Sequence, residues 1–306
     1  VSITLKSTVD LLFTTAKIPV MPSSPKQKIA LGTLLLATAL SVNLIAEIAT
    51  SDQPDPSVPE LTDTSFDEAI NHGVAAFRDA HYATAVQHFK IAVIFDPTSA
   101  KARLYLGTAY AYQVVPNLDT PDNFATANNA IDTFKQIPEG APEYSNALKQ
   151  IASVYRNIKR LDESKAIERQ FLKLEPNDAE THYTIGVLDW MQSYKNALQI
   201  LAAASLRDDG KGNPDLNQNA CLELSTQNSA LVQDGIDHLT RAIDLKPNYA
   251  DAMQYLQLTY RRHADLACGD DTKRTEDLAQ ADLWSKKAMD TRRQNESSLI
   301  ERSVPK

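Results

Sequence analysis

The chain has 306 residues, 43% of them hydrophobic and 23% charged, enough for one extended or two compact domains with buried cores. Its net charge of −8 and pI near 5.3 argue against a nucleic-acid partner, which would need a basic surface. Only nine glycines, abundant Ala and Leu, and no convincing alternation of apolar and polar residues over strand length point to an all-α fold.

The first predicted element is IALGTLLLATALSVNLIA, from Ile29 to Ala46, which carries no charge, is led by Lys26 and Lys28, and is followed by Glu47, Asp52 and Asp55. About 18 uncharged residues behind lysines read as a signal peptide or a single transmembrane helix, with residues 1–28 as its leader. Ala39 and Ser41 offer a cleavage site, while the apolar sequence runs on to Ile45. No Cys lies near the run, so it does not read as a lipoprotein signal. Met21 stands directly before the basic leader PSSPKQK, so residues 1–20 are read as upstream sequence from an overlong gene assignment. Everything beyond residue 50 is then expected on the extracytoplasmic side, periplasmic or membrane-anchored facing the periplasm. Residues 47–64 include SDQPDPSVPELTD, whose prolines and acids break a helix and bury little; they form a linker.

From residue 65 the sequence repeats itself. In 66–99, Gly73 is followed by Ala85, Phe89, Ala92 and Pro97. Small residues allow two helices of a hairpin to approach closely, Phe89 fills the gap and Pro97 ends the second helix. The unit 100–144 has Leu104, Leu106, Gly107 and Tyr110, then Ala130, Phe134, Ile137 and Pro142; 145–178 has Ile151, Ala152, Tyr155, Phe171 and Pro176. From Pro142 to Pro176 is about 34 residues. The unit 179–249 opens with Tyr183, Ile185 and Gly186 and closes with LTRAIDLKPNYADA, and 250–295 runs from Met253, Leu256 and Tyr260 to Ala281 and Ala288. Residues 296–306 are a polar tail.

These residues resemble the tetratricopeptide repeat (TPR) family over residues 65–295, and ADAMQYLQLTYRRHADLACGDD is similar to exported TPR proteins of acidobacterial type. The resemblance implies a right-handed superhelical solenoid of helix-turn-helix units, here with extended hairpins within the repeats. Asp189 stands where an aromatic is usual, Ser164 and Gly235 where Ala is usual, and Gln257 where Gly or Ala is usual. The extra length falls in the intra-repeat turns after Tyr110, Trp190 and Arg262 and thickens one edge of the stack.

In the family the inner groove is lined by fixed positions of the first helix of each unit. Carried over, these give Phe77, Arg78, Tyr112, Lys149, Arg156, Tyr183, Trp190, Arg261 and Arg262. Such a face implies a protein or peptide partner, with acidic segments held by charge-assisted bonds and aromatics supplying area; the competing reading is that Tyr and Trp pack between helices. The chaperone-type carboxylate clamp needs an Asn where this chain has Val74, Thr108, Ser153, Val187 and Leu258, so chaperone tails are not expected.

The six histidines show no ligand-like spacing in sequence, and DLNQNACLELST departs from a calcium loop at its sixth and last positions. There is no phosphate loop, nucleophile elbow or dinucleotide fingerprint. No metal, cofactor or catalytic residue is therefore expected. The function this predicts is an extracytoplasmic scaffold for protein–protein interaction at or near the membrane, which its apolar segment would contact if uncleaved. Its rivals are a permanently docked accessory subunit of a membrane complex and an enzyme of envelope polymer metabolism. Cys221 and Cys268 are expected to form a disulfide: paired cysteines suit an exported chain, and the two lie at comparable distances from the turn at Pro247.

Overall fold

The computed structural model describes residues 63–213 and 216–303, with side chains placed as far as residue 297. The chain divides into two units, Val1–Thr64 and Ser65–Lys306. The leader, the apolar run 29–46 and nearly all of the linker lie outside the described residues. Among the described residues there is no strand, and no helix is long and apolar enough to cross a membrane.

The described residues of the second unit form ten helices: α1 (Phe66–Arg78), α2 (Tyr82–Phe95), α3 (Ala100–Ala111), α4 (Pro121–Lys135), α5 (Tyr144–Asn157), α6 (Leu161–Leu174), α7 (Ala179–Ala203), α8 (Gln218–Leu245), α9 (Ala250–Ala264) and α10 (Asp271–Ser303). Each packs on the next in chain order, and the first helices of neighbouring hairpins also meet, α3 with α5 and α7 with α9. The result is a solenoid of five stacked hairpins.

Side-chain caps start several helices. Ser65, Ser99, Thr120, Asp178 and Asn217 each accept a hydrogen bond from the backbone N–H three residues on, at the starts of α1, α3, α4, α7 and α8. The turns inside the first and third hairpins share one device: Ala80 and Lys159 take positive φ of 59° and 61°, and the next residue's N–H reaches back to Ala76 and Tyr155 carbonyls.

The hairpins close on small residues. The Phe89 ring lies so near Gly73 that a Cβ there would sit 2.4 Å from Cε1, and Phe134 stands over Gly107 in the same way, at 2.6 Å. In the fourth hairpin Leu239 takes the place of the ring, its Cγ 2.5 Å from where a Cβ on Gly186 would be. Phe89, Phe134 and Leu239 are buried, as are Ala85, Ala92 and Ala130 beside them. The third hairpin is a polar variant. Ala152 replaces the glycine, Ser164 Oγ donates to the Ala152 carbonyl at 3.0 Å, and Glu168 occupies the place of the aromatic.

The departures from a regular repeat are helical. α7 and α8 run 25 and 28 residues, several turns beyond the hairpin core, and enclose a small apolar cluster of Ala197, Ile200, Ala220 and Leu224. After Arg262 the turn is short; the added length lies in the 33-residue α10, which continues to Ser303 through the stretch read as a tail. Cys221, near the start of α8, is disulfide-bonded to Cys268 in the α9–α10 turn, with Cα atoms 5.6 Å apart. Cys268 lies just past the end of α9, at φ 54°.

Two stability outcomes follow. Gly107→Val drives methyls into Phe134, so the urea midpoint should fall by the equivalent of about 1–3 kcal/mol at unchanged slope. Gly140→Val, with nothing within 4 Å of the new Cβ, should leave it in place. Reducing Cys221–Cys268, which closes a loop across a sequence separation of 47, should cost about 2–4 kcal/mol. A urea midpoint identical with and without reductant would contradict that.

Candidate functional site

The residues assigned to a groove fall into two groups. At the N-terminal end, Phe77 from α1, Tyr82 from α2 and Tyr112 at the end of α3 form one aromatic cluster. Phe77 lies 4.8 Å from Tyr112 and 5.2 Å from Tyr82, and Tyr82 lies 5.3 Å from Tyr112, all in tilted or edge-on contact. All three rings are half-buried, and burial raises the Tyr112 phenol. Arg78, next to Phe77, is exposed and makes no ion pair among the described residues. Tyr82 belongs to a second helix and escaped a reading confined to first helices.

The other candidates are engaged inside the chain. Lys149 donates to Asp178 at 3.0 Å and lies 4.4 Å from the Phe171 ring centroid. Arg156 turns back into its own hairpin and pairs with buried Glu168. Tyr183 packs against Tyr249 and Tyr255, at 4.9 and 5.8 Å; Trp190 stacks on Tyr194 and meets Tyr255 edge-on. Both are buried between helices. Arg262 is 3% exposed, held by Asp208 at 2.9 Å and Asp265 at 3.0 Å, with its guanidinium over the Tyr194 ring. Arg261 donates to the Gly210 carbonyl at 2.7 Å and to Asp282 at 3.0 Å.

The last two arginines show what the long α7–α8 connection does. Asp208 and Gly210 belong to it, and Asn213, further along, donates to Asp265 at 2.9 Å. The connection is therefore tied to the C-terminal end of α9. Basic positions that would face a partner are met by the chain's own acids and carbonyls.

A second polar cluster lies between the third and fourth hairpins. Lys165 on α6 donates to Asp189 on α7 at 2.8 Å and to Gln192 at 3.0 Å; Arg169, also on α6, pairs with Asp234 on α8. With Ala230 and Leu231 these residues line a cavity of about 280 Å³. His238 Nε2 is 3.7 Å from Asp234, and its Nδ1 lies 2.8 Å from His182 Nδ1. Since His182 Nε2 faces the Pro176 carbonyl at 3.1 Å and donates to it, the proton between the two rings belongs to His238. Asp189 thus answers Lys165 at the place where an aromatic is usual.

Burial, reinforced by the Asp234 carboxylate and opposed by Lys165, pushes the Asp189 carboxyl up to about 7. Its buried Oδ2 has no hydrogen-bond partner as a carboxylate, a deficit that a proton donated toward Asp234 removes. Asp265 is likewise pushed to about 7 by burial, despite Arg262 beside it.

No protein-family model matches this sequence, and neither does any curated protein sequence. Solved structures do match. The MamA RS-1 ArsTM double mutant superposes at a TM-score of 0.50 with 16% identity, over 77% of this chain and 98% of that one. MamA 41-end from Desulfovibrio magneticus RS-1 matches at 0.48 and 15%, over 76% and 97%. YrrB, described as a TPR protein with an unusual peptide-binding site, matches at 0.44 and 14%, over 74% and 91%. These likenesses concern the fold, which is a TPR-like solenoid.

The Asp189 carboxyl sets a pH dependence. Its folded pKa of about 7 lies above the unfolded value near 3.8, so between the two the native state holds a proton that the unfolded chain has released. This contribution favours the native state, shrinks as pH rises through that window and is gone above about pH 7. Asp189→Asn, which keeps an acceptor for Lys165 and a donor for Asp234, should lose less stability than the parent between pH 5 and 8. The slope difference is at most about 1.4 kcal/mol per pH unit, and parallel pH profiles of the urea midpoint would show that Asp189 is ionised throughout.

Proposed function

We propose that this protein is an extracytoplasmic, non-enzymatic scaffold that binds a segment of another protein at the N-terminal end of its groove. The observation that carries this is the half-buried cluster of Phe77, Tyr82 and Tyr112 beside the exposed cation of Arg78. Aromatic rings with one face packed and one edge open give large contact area at small entropic cost, and an adjacent guanidinium adds charge-assisted bonds. A segment combining an apolar or aromatic residue with an acid is the partner this favours.

The extracytoplasmic placement rests on the lysine-led apolar run 29–46 and accords with the Cys221–Cys268 bridge, since disulfides persist in oxidising compartments. The run also supplies a membrane contact if it is retained. The helix-lined face would then present its partner at the membrane surface.

Pull-down from native membranes with crosslinking identifies the partner, and its affinity for variants tests the site. Phe77→Ala combined with Tyr112→Ala should weaken binding about tenfold or more, each ring being a candidate for a contact worth over 1 kcal/mol. Arg78→Glu should weaken it further. Charge reversal at Lys286 and Lys287, exposed on α10, is the control and should change little. Equal losses in both sets would remove the groove's N-terminal end as the binding face.

A further inference from the structure

The first hairpin pairs a histidine of α1 with one of α2. His72 directly precedes Gly73, and His88 directly precedes Phe89. In the other four hairpins the residue equivalent to His72 is Leu106, Ile151, Ile185 or Leu256, and each of these is buried. His72 is exposed instead. The contact that closes the hairpin, Phe89 over Gly73, fixes the register of α1 against α2 and so brings the two residues before it together. Their ring centroids lie 5.4 Å apart, with planes inclined at 62°, and they present nitrogens within 4.8 Å of each other.

We propose that His72 and His88 form a surface site for a borderline divalent transition-metal ion. Imidazole nitrogens suit Zn²⁺, Ni²⁺ and Cu²⁺, whereas Mg²⁺ and Ca²⁺ take oxygen ligands. Two nitrogens on one tetrahedral ion, each bonded at about 2.0–2.1 Å, stand about 3.3 Å apart. A modest rotation of the exposed His72 ring closes that distance, while His88, half-buried on α2, serves as the fixed member. Further ligands complete the coordination, and the exposure of His72 leaves the site open to exchange. Thiols do not compete for the ion, because no cysteine is free. The second histidine pair is arranged differently: His182 Nδ1 and His238 Nδ1 face each other at 2.8 Å, and His182 Nε2 faces the Pro176 carbonyl at 3.1 Å.

The test is calorimetric titration of the tag-free, chelator-treated chain with Zn²⁺ and Ni²⁺, with Mg²⁺ as a blank. It is joined to paramagnetic resonance of the Cu²⁺ form, which counts the coordinated nitrogens. One Zn²⁺ or Ni²⁺ ion per chain should bind through two imidazoles, and His72→Ala or His88→Ala should weaken binding about tenfold or more. A His182→Ala, His238→Ala double variant should bind as the parent does. Circular dichroism without metal confirms that each variant is folded, and His72→Ala, at an exposed position, keeps the test valid if His88→Ala unfolds. Absence of Zn²⁺ or Ni²⁺ binding, binding unchanged in His72→Ala, or binding lost only with His182 and His238 would each overturn the assignment.

Discussion

The distance between the two helices of a hairpin governs this molecule. A glycine on the first helix and a large apolar side chain on the second, Gly73 with Phe89, Gly107 with Phe134 and Gly186 with Leu239, meet at a separation that leaves no room for a Cβ. Close packing of this sort has one register, because sliding either helix by a residue would drive the ring into backbone. With the register fixed, the neighbours of those residues are fixed as well. His72 and His88 meet because Gly73 and Phe89 do. The third hairpin tests the rule by breaking it: with Ala152 and Glu168 in those places, the interior gains a carboxylate, and burial raises it. Arg156 is drawn inward to meet that carboxylate. A cation that stands on the groove side by its helical position is thereby spent on the interior.

This is also why the fold was legible in the sequence and the groove much less so. Glycine, alanine, aromatic and proline recur at fixed spacing, and each has a steric role that needs only its own hairpin. The pairing of Cys221 with Cys268 was readable for a similar reason, since both flank one turn. A charge has no such locality. Nothing near Arg262 in sequence announces Asp208, 54 residues earlier, or the loop that carries it. Helical position says which way a Cα–Cβ bond points but not which oxygen the guanidinium finds. Burial of Tyr183 and Trp190 follows from Tyr249, in the turn before α9, and from Tyr255, contributed by the next unit. The histidine pairs were hidden likewise: His182 and His238 are 56 residues apart, and spacing patterns see only ligands that share a helix or loop.

Between the third and fourth hairpins, buried apolar side chains are joined by polar contacts. Lys149 with Asp178, Lys165 with Asp189 and Arg169 with Asp234 all cross from one hairpin to the next. Exposed pairs of this type contribute little net stability, and a buried one such as Lys165–Asp189 roughly balances desolvation against attraction. What they add is selectivity. An apolar interface tolerates small slips, whereas a buried lysine displaced from its carboxylate costs about 3–5 kcal/mol. The polar contacts therefore fix the register of this junction through the penalty for mispairing.

That contrast bears on where a partner can be received. The C-terminal hairpins are closed against themselves: the α7–α8 connection holds Arg261 and Arg262, the disulfide ties α8 to the α9–α10 turn, and Tyr183 and Trp190 are covered by tyrosines of α9 and of the turn before it. A ligand entering there would first have to replace contacts already made, at the cost of leaving buried charges unpaired. At the N-terminal hairpins no comparable exchange is needed. The rings of Phe77, Tyr82 and Tyr112 retain exposed surface, and Arg78 makes no ion pair among the described residues. The same chemistry, aromatic and basic, thus serves cohesion at one end of the stack and, in the function proposed above, recognition at the other.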